Sequence, residues 1–270
     1  MRRPPIRLVW CVQSPVLEPV HTPDPKEGEK AYYARLGAEG LRHAREKPFS
    51  DADCGKYLGD IGALLLMLEP PPRTILDFGC GAGWTSLFLA RAGYEVLGVD
   101  ISPDAIALAR TAAAGEGVGT ASFSVADYEG FEARQSFDYV LFYDALHHAE
   151  DEAAAIAAAY RALRPGGVMF AFEPGKGHSR SPGARRAVAA YGVHEKDMSP
   201  GHVWRLGRRA GFRRVLFLPL PHDLVRHVYR RDYLRVPGRL RLLAERCWGY
   251  LHAAWKAGRA SRAGLILMWR

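Results

Sequence analysis

A glycine turn between a strand pattern and a helix pattern constrains the fold of this chain more than any other feature. Residues 75–86 read ILDFGCGAGWTS, in which an apolar run breaks into glycines at positions 79, 81 and 83. A strand followed by such a turn and a helix N-terminus is typical of the ligand-binding edge of a parallel α/β sheet. Glycine is favoured there because a side chain would block close approach of the backbone to a ligand.

Strand and helix patterns alternate along most of the chain after this point, which predicts an α/β fold. The strands are rich in Val, Ile, Leu and Phe, as expected for a parallel sheet with helices on both faces. Strands are predicted at 74–79, 94–100, 120–127, 137–144, 166–174, 212–220 and 264–270, and helices at 30–47, from about 51 to 69, and at 84–93, 102–113, 151–164 and 199–211.

The charge of the chain is concentrated in one segment. Residues 219–263 contain nine arginines and one lysine against three acids, so they carry +7 of the formal net charge of +8. Such a segment suits nucleic acid, anionic lipid or a solvated helical face.

The longest apolar run, residues 61–68, is too short to span a membrane, and no signal peptide is recognisable, so a cytoplasmic location is expected. The four cysteines, which are far apart, argue against a zinc site and for a reducing compartment.

The spacing of the turn and of two acids predicts the type of ligand. The turn reads G-C-G-A-G, which differs from the G-x-G-x-x-G of dinucleotide-binding domains. Asp100 ends the second predicted strand, where a carboxylate can accept both ribose hydroxyls. Asp127 and Tyr128 follow the third strand, where a carboxylate can accept from an adenine amino group. Together these positions predict an adenosine ligand that needs no pyrophosphate.

At these residues the chain resembles the class I S-adenosylmethionine-dependent methyltransferases. The segments that carry the resemblance are LDFGCGAGWTS, GVDIS, ADY at 126–128, FDYVLFYDALHHAED and LRPGG at 163–167. They cover about residues 57–173. The resemblance implies a doubly wound, Rossmann-like seven-stranded sheet of order 3-2-1-4-5-7-6, with the last strand antiparallel.

The resemblance also implies S-adenosylmethionine as cofactor, S-adenosylhomocysteine as product and no metal. By position in the motifs, the glycines would contact the methionine part and ribose, and Asp77 would hold the methionine amino group directly or through water. Tyr143 would line the sulfonium region, and an aromatic of the N-terminal helix, Tyr33, would cover the cofactor. The full set of expected cofactor residues is Tyr33, Asp77, Gly79, Cys80, Gly81, Gly83, Trp84, Asp100, Ile101, Asp127, Tyr128 and Tyr143.

Methyl transfer to a hydroxyl requires a base near the attacking oxygen, besides alignment of the reacting atoms. The candidates are His147, His148 and Glu173, which all lie at the carboxyl ends of predicted strands. If the two histidines lie on a helix, they point about a hundred degrees apart and cannot both reach one atom. One would then face the cofactor while the other packs. We favour His147 as base, although local packing is an equal alternative.

The chain divides into an N-terminal arm and helical cap (1–73), the methyltransferase core (74–218), a basic helical insertion (219–263) and a final core strand (264–270). Residues 47–62 and 191–198 resemble bacterial methyltransferases encoded near polysaccharide and secondary-metabolite genes, which suggests a hydroxyl of a sugar or secondary metabolite as acceptor. The insertion would cap an anionic or lipid-linked acceptor through Arg226, Arg230 or Arg231, rest on the inner membrane surface, or form a homodimer contact.

Two other functions remain open at this stage. A nucleic-acid methyltransferase would explain the basic insertion, but no Asn-Pro-Pro-Tyr type tetrapeptide follows the fourth strand, which reads FYDA there. The second alternative is a non-catalytic partner subunit that binds the cofactor. Intact glycines and acids disfavour it.

Overall fold

The computed structural model describes residues 24–229, 234, 238–257 and 264–270. Within them, seven strands form one sheet in the order β3-β2-β1-β4-β5-β7-β6. Neighbours among β1 to β5 pair in parallel, whereas β7 runs antiparallel to both β5 and β6. The expected order and the antiparallel last strand are confirmed. The strands are β1 Thr74–Phe78, β2 Glu95–Asp100, β3 Ala121–Val125, β4 Phe137–Tyr143, β5 Leu163–Glu173, β6 Arg214–Leu218 and β7 Gly264–Trp269.

Helices cover both faces of this sheet and its carboxyl edge. Short 3-10 turns at Tyr128–Gly130, Leu146–His148 and His178–Arg180 follow the ends of β3, β4 and β5. The α-helices are α1 Pro25–Arg35, α2 Gly37–Glu46, α3 Cys54–Met67, α4 Trp84–Arg91, α5 Pro103–Glu116, α6 Glu152–Ala162, α7 Pro182–Tyr191, α8 Pro200–Ala210, α9 Pro221–Val228 and α10 Arg239–Ala257.

The core lies on both faces of the central strands. β1 and β4 are almost wholly buried. Alternate residues of β4 point to opposite faces, so that Phe142 packs in the cluster that includes α6, while Leu141 packs in the cluster that includes α3. Burial on both faces explains why the strands read as continuous apolar runs. The same burial holds in place the carboxyl ends of the strands, where the loops of the candidate site begin.

The structure departs most clearly from the sequence prediction in the first helix and in α7. The single helix predicted over 30–47 is two helices, because Gly37 adopts a left-handed φ of 66° and the chain turns there. The helix α7, which begins after the N-cap Ser181, was not predicted, although the Ser181 side chain accepts a hydrogen bond from Ala184 N as in a standard cap.

The basic insertion contributes α9 and α10 to the described residues. Helix α9 packs against α3, and α10 packs against α9. Arg226 forms an ion pair with Asp53 and does not line the cavity described below, and its contact with an acceptor stays a prediction. Arg230 and Arg231 lie outside the described residues. None of the helices in the described ranges combines the length and apolar character that crossing a bilayer requires.

Candidate functional site

A cavity of about 390 Å³ lies at the carboxyl ends of β1, β2 and β4, beneath α1 and α2. Its position is the one that parallel α/β sheets use for ligands. The lining combines carboxylates, cations and aromatic rings, an environment suited to a ligand with both charged and aromatic parts. The lining residues used below are Lys26, Glu29, Tyr33, Lys47, Gly79, Cys80, Gly81, Trp84, Asp100, Ile101, Asp127, Tyr128, Tyr143, Asp144, His148 and Glu195.

The glycine turn forms the floor of this cavity. Gly79 and Gly81 have left-handed φ values of 69° and 54°. A Cβ on Gly79 would lie 2.6 Å from Cβ of Ala145, and one on Gly81 would collide with the hydroxyl of Tyr33. Both glycines are therefore required by space as well as by conformation. Gly83 lies behind the cavity, where a Cβ would lie 2.8 Å from Ala109, so its role is packing of α4.

Asp100 is held in place at the end of β2 by two backbone N–H groups. Gly81 N donates to Oδ2 and Ser102 N donates to Oδ1, both at 2.9 Å. Burial raises the pKa of Asp100, and these two hydrogen bonds oppose that rise. The carboxylate thus lies in a fixed orientation beside the glycine turn and Ile101, where a ribose would be recognised.

Asp77 does not line the cavity. It is 1% exposed at the end of β1, and its Oδ2 accepts hydrogen bonds from the hydroxyls of Thr85 and Ser86 at 2.6 Å. Burial raises its pKa to about 6, against the effect of the two hydroxyls. The expected direct contact with a ligand is therefore absent from this arrangement, because the carboxylate stabilises the start of α4.

Aromatic side chains form one wall of the cavity. The ring centroids of Trp84 and Tyr143 lie 5.2 Å apart, edge to face, and Tyr57 extends this group. Across the cavity, the Tyr33 hydroxyl accepts a hydrogen bond from Ala82 N at 3.2 Å. Tyr33 thus covers the glycine turn, and the aromatic faces favour a ligand that carries positive charge.

Asp127 lines the cavity, but both its oxygens already have partners. Lys26 of α1 donates to Oδ2 at 2.6 Å, and Glu129 N donates to Oδ1 at 3.0 Å. Lys26 also pairs with Glu129, at 2.9 Å. These ion pairs fasten α1 across the ends of the strands. A ligand amino group at Asp127 would share that carboxylate with Lys26.

His147 and Glu173 are buried beneath the cavity and do not line it. His147 Nδ1 lies 2.8 Å from Glu173 Oε2, and the same carboxylate accepts from the backbone N–H of Ala145, Leu146 and His147. With these bonds, Glu173 fixes the turn after β4. In this structure both side chains are committed to the turn and neither faces the cavity, and a catalytic role for His147 or Glu173 stays a prediction.

His148 is the histidine of the pair that faces the cavity. The pair lies on a 3-10 turn, and its ring centroids are 4.1 Å apart, so the rings lie side by side. His148 Nδ1 lies 3.2 Å from Oε1 of Glu29 on α1. Burial acts to lower the pKa of His148, but the hydrogen bond and charge of Glu29, with Glu195 and Asp144, raise it to about 9.

Sequence patterns missed several residues at the cavity. Asp144, directly after β4, is the non-glycine residue among the described residues with a left-handed φ, 56°. Such strain is frequent at functional sites. Lys47 lies 4.7 Å from the Tyr57 ring centroid, and burial lowers its pKa. The sequence marked Asp144 and Lys47 only by their neighbours, since Asp144 is the last residue of a predicted strand and Lys47 precedes a proline.

A second missed feature links the insertion to the cavity wall. The Asp60 carboxylate of α3 accepts from the Tyr143 hydroxyl at 2.9 Å and from the backbone N–H of His222 at 3.0 Å. His222 Nδ1 also lies 2.8 Å from Oδ2 of Asp60. The first helix of the insertion is thus joined through one buried carboxylate to a residue that lines the cavity.

Three side chains near His148 have an arrangement that could hold a metal ion. Ligating atoms of His147, His178 and Glu195 lie within 4.8 Å of one another. Hydrogen bonding accounts for the closest pair, since His178 Nε2 lies 2.5 Å from Glu195 Oε2. We assign no metal to them, and metal independence stays a prediction.

Comparison with known proteins relates about a third of the chain to a known domain. Residues 75–167 match the family described as a methyltransferase domain. Ubiquinone biosynthesis O-methyltransferases are 42% identical over 96 residues in Sinorhizobium fredii and 37% identical over 105 residues in Xanthomonas axonopodis pv. citri. Residues 75–167 thus match a methyltransferase domain. The matches cover 36% and 38% of this chain, and 39% and 44% of the relatives, so they span less than half of those proteins.

Solved structures agree with this fold for the methyltransferase domain. Phosphoethanolamine N-methyltransferase 2 of Haemonchus contortus, in complex with S-adenosyl-L-methionine, has a TM-score of 0.61 and 19% identity over 90% of this chain and 59% of its own. A S-adenosylmethionine-dependent methyltransferase of Mesorhizobium loti has a TM-score of 0.54 and 22% identity, covering 78% of this chain and 98% of its own.

The cavity residues fit S-adenosylmethionine, the cofactor that the resemblance of the sequence motifs implies. The glycine floor has no room for side chains, Asp100 is fixed beside it, and aromatic rings and carboxylates surround the space that a sulfonium and an ammonium would occupy. Which of the lining residues contact the cofactor stays a prediction.

Proposed function

We propose that this methyltransferase domain transfers a methyl group to a hydroxyl of a small molecule, with His148 as general base. The observation that carries the proposal is the position of the His148–Glu29 pair on the wall of the same cavity that holds Asp100 and the glycine turn. A hydroxyl acceptor agrees with the names of the relatives, which are O-methyltransferases. S-adenosylmethionine supplies an electrophilic methyl group on a sulfonium.

The residues of the chain have three tasks in this proposal. Asp100 and the glycine turn hold the cofactor side of the cavity, and Tyr33 with α1 covers it and excludes water. His148 Nε2 accepts the proton of the acceptor hydroxyl as it attacks. Glu29 holds Nδ1 of the same ring and stabilises the imidazolium that results. No further group is needed, because alignment supplies most of the rate in such a displacement.

The raised pKa of His148 makes the base sensitive to its surroundings. With a pKa of about 9, the imidazole is mostly protonated at neutral pH in the free domain. A cationic ligand in the same cavity disfavours a second positive charge and lowers that pKa. The neutral base would then be most abundant when the cationic cofactor is bound.

The acceptor that we propose is a hydroxyl of a sugar or secondary metabolite, and phenols are the second class to screen because the relatives are named for ubiquinone biosynthesis. A cavity lined by both acids and lysines suits a polar acceptor. The domain is not expected to act on nucleic acid.

Calorimetric titration with S-adenosylmethionine, S-adenosylhomocysteine and NAD tests the first half of the proposal. Both sulfur ligands should bind and NAD should not. Asp100→Ala should weaken binding at least about tenfold, since hydrogen bonds to a charged group contribute roughly 1.5–3 kcal/mol. Asp104→Ala, at an exposed position of α5, is the control for loss of one negative charge. Binding of NAD alone would contradict the assignment of the cavity.

Transfer of a radiolabelled methyl group to sugar, phenol and amine panels tests the second half. We expect labelled ethers, and the rate should rise with pH towards 9 in the wild type. His148→Gln should lower kcat about a hundredfold or more and remove this dependence, while His202→Gln, on the remote α8, should not. Label on amines alone, or an unchanged pH profile in His148→Gln, would refute the hydroxyl acceptor or the base, respectively.

A further inference from the structure

The outward face of α10 is apolar, although it is exposed. Leu240 is 86% exposed, Leu251 65% and Trp248 61%, and Leu243, Tyr250 and Trp255 are all more than half exposed. A helix on a water-facing surface normally shows polar residues outward and apolar residues towards the core. In α10 the inner side includes the buried Gly249. The outer side of the helix thus lacks the polar surface that is usual on a water-facing helix.

The exposed apolar residues form one continuous stripe. Successive residues of an α-helix are rotated by about 100° around its axis. In order around that axis, Leu243, Leu240, Leu251 and Trp248 fall within an arc of about 140°. Trp255 and Cys247 fall inside this arc, and Tyr250 lies at its border. No residue of α10 lines the cavity, so the stripe does not cap the acceptor site of the described structure.

Arginines border the stripe on both sides. Around the circumference of the helix, Arg241 lies next to Trp248 on one side of the stripe. Arg239 and Arg246 lie next to Tyr250 on the other side, and all three arginines are exposed. Glu245 is only partly exposed, on the inner half of the helix. Where side chains of α10 are described, the outward surface is thus an apolar stripe with cationic borders and carries no exposed acid.

We propose that this face of α10 docks on an anionic lipid surface, with the helix parallel to the membrane plane. Leucines between interfacial Trp and Tyr rings match the depth of the headgroup and acyl boundary. Arginines on both borders would meet lipid phosphates on either side of the helix. A protein groove would have to present anionic groups along both of its walls to match the same pattern. The charge of +7 in residues 219–263 adds long-range attraction to the same surface.

Flotation of the full chain with lipid vesicles tests the proposal. The protein should float with vesicles that contain phosphatidylglycerol and remain behind with phosphatidylcholine alone, and added salt should weaken the binding. Tryptophan emission should shift to shorter wavelength on binding, because Trp248 and Trp255 leave water. Absence of flotation with anionic vesicles would overturn the proposal.

Substitution of exposed leucines by glutamate provides a matched comparison. Leu240→Glu and Leu251→Glu should each weaken vesicle binding about tenfold or more, since each removes a buried leucine from the lipid contact. Leu66→Glu is the control, because Leu66 of α3 is 89% exposed, similar to Leu240, and the change in charge is equal. Equal binding by Leu240→Glu and Leu66→Glu would refute the stripe as the contact.

Arginine variants and the oligomeric state separate lipid from a second copy of the chain. Arg239→Gln and Arg246→Gln should each weaken binding about fivefold. Unchanged binding in both would refute the role of the arginine borders. Light scattering should give the same mass for wild type and Leu251→Glu without lipid. A dimer that Leu251→Glu dissociates, with no flotation, would instead assign the stripe to self-association and overturn the lipid proposal. This test needs no methyl transfer, so its result is independent of the proposed function.

Discussion

Replacement of Asp77 by asparagine should stabilise the fold at neutral pH. The carboxylate is 1% exposed, and burial raises its pKa from 3.8 to about 6. Both hydroxyl donors, Thr85 and Ser86, reach the same oxygen, Oδ2. An asparagine with its carbonyl oxygen at that position keeps both hydrogen bonds without a buried charge. The variant therefore removes the cost of ionisation and retains the cap of α4.

The magnitude follows from the two pKa values. A pKa raised in the folded state means that the folded protein favours the protonated acid, so this contribution to stability is complete below pH 3.8 and is lost as pH rises through 6. At about 1.4 kcal/mol for each unit of pKa, the loss amounts to about 3 kcal/mol by pH 7. Asp77→Asn should therefore be more stable than wild type at pH 7 by up to about 3 kcal/mol.

Urea unfolding between pH 4 and pH 8 provides the assay. The free energy of unfolding of Asp77→Asn relative to wild type should rise from pH 4 to pH 7 and then level off. Asp104→Asn, at an exposed position, controls for loss of one surface charge. A difference between Asp77→Asn and wild type that is constant over this pH range would refute the reasoning, because it would mean that Asp77 ionises equally in the folded and unfolded chain.

Three other experiments test the geometry of the cavity and its surroundings. Gly81→Ala should weaken cofactor binding at least about tenfold in calorimetry, because the added Cβ collides with the Tyr33 hydroxyl and the φ of 54° disfavours alanine. Adding Tyr33→Phe should restore part of that loss, and no recovery in the double variant would contradict the collision. Asp60→Ala should increase amide exchange in α9 without altering the sheet, since His222 loses its partner; unchanged exchange would show that α9 does not depend on this carboxylate. Treatment with a chelator should leave cofactor affinity unchanged, and loss of affinity that added zinc restores would assign a metal to the cluster around Glu195.

The sheet and the meeting of the glycine turn with Asp100 at the cavity could be predicted from sequence because local patterns determine them. Fully buried parallel strands read as apolar runs, and their spacing leaves room for the connecting helices. The glycine turn and Asp100 are adjacent to the ends of β1 and β2, so their meeting at one edge follows from the parallel pairing of those strands. The break of the first helix at Gly37 was missed because a glycine inside a helical pattern does not by itself predict a turn.

The rest of the cavity wall could not be predicted, because it depends on contacts between distant parts of the chain. His222 and Asp60 are 162 positions apart, and no periodicity relates them. Sequence could not show which of His147 and His148 faces the cavity, for a similar reason. Their environment is decided by Glu173 and Glu29, which belong to different elements on opposite sides of the turn. Adjacent residues of the same type carry no signal of which one is buried.

The position of β7 between β5 and β6 has a consequence for the order in which the sheet assembles. The strand β6 pairs with β7, and β7 comes after the insertion in the chain. During synthesis, β6 and the helices α9 and α10 therefore emerge before the strand that connects them to the rest of the sheet. Chains interrupted within the insertion would have a core with β5 as an open edge, which is prone to pair with other chains. Formation of β7 thus covers the edge of β5 and joins β6 to the sheet.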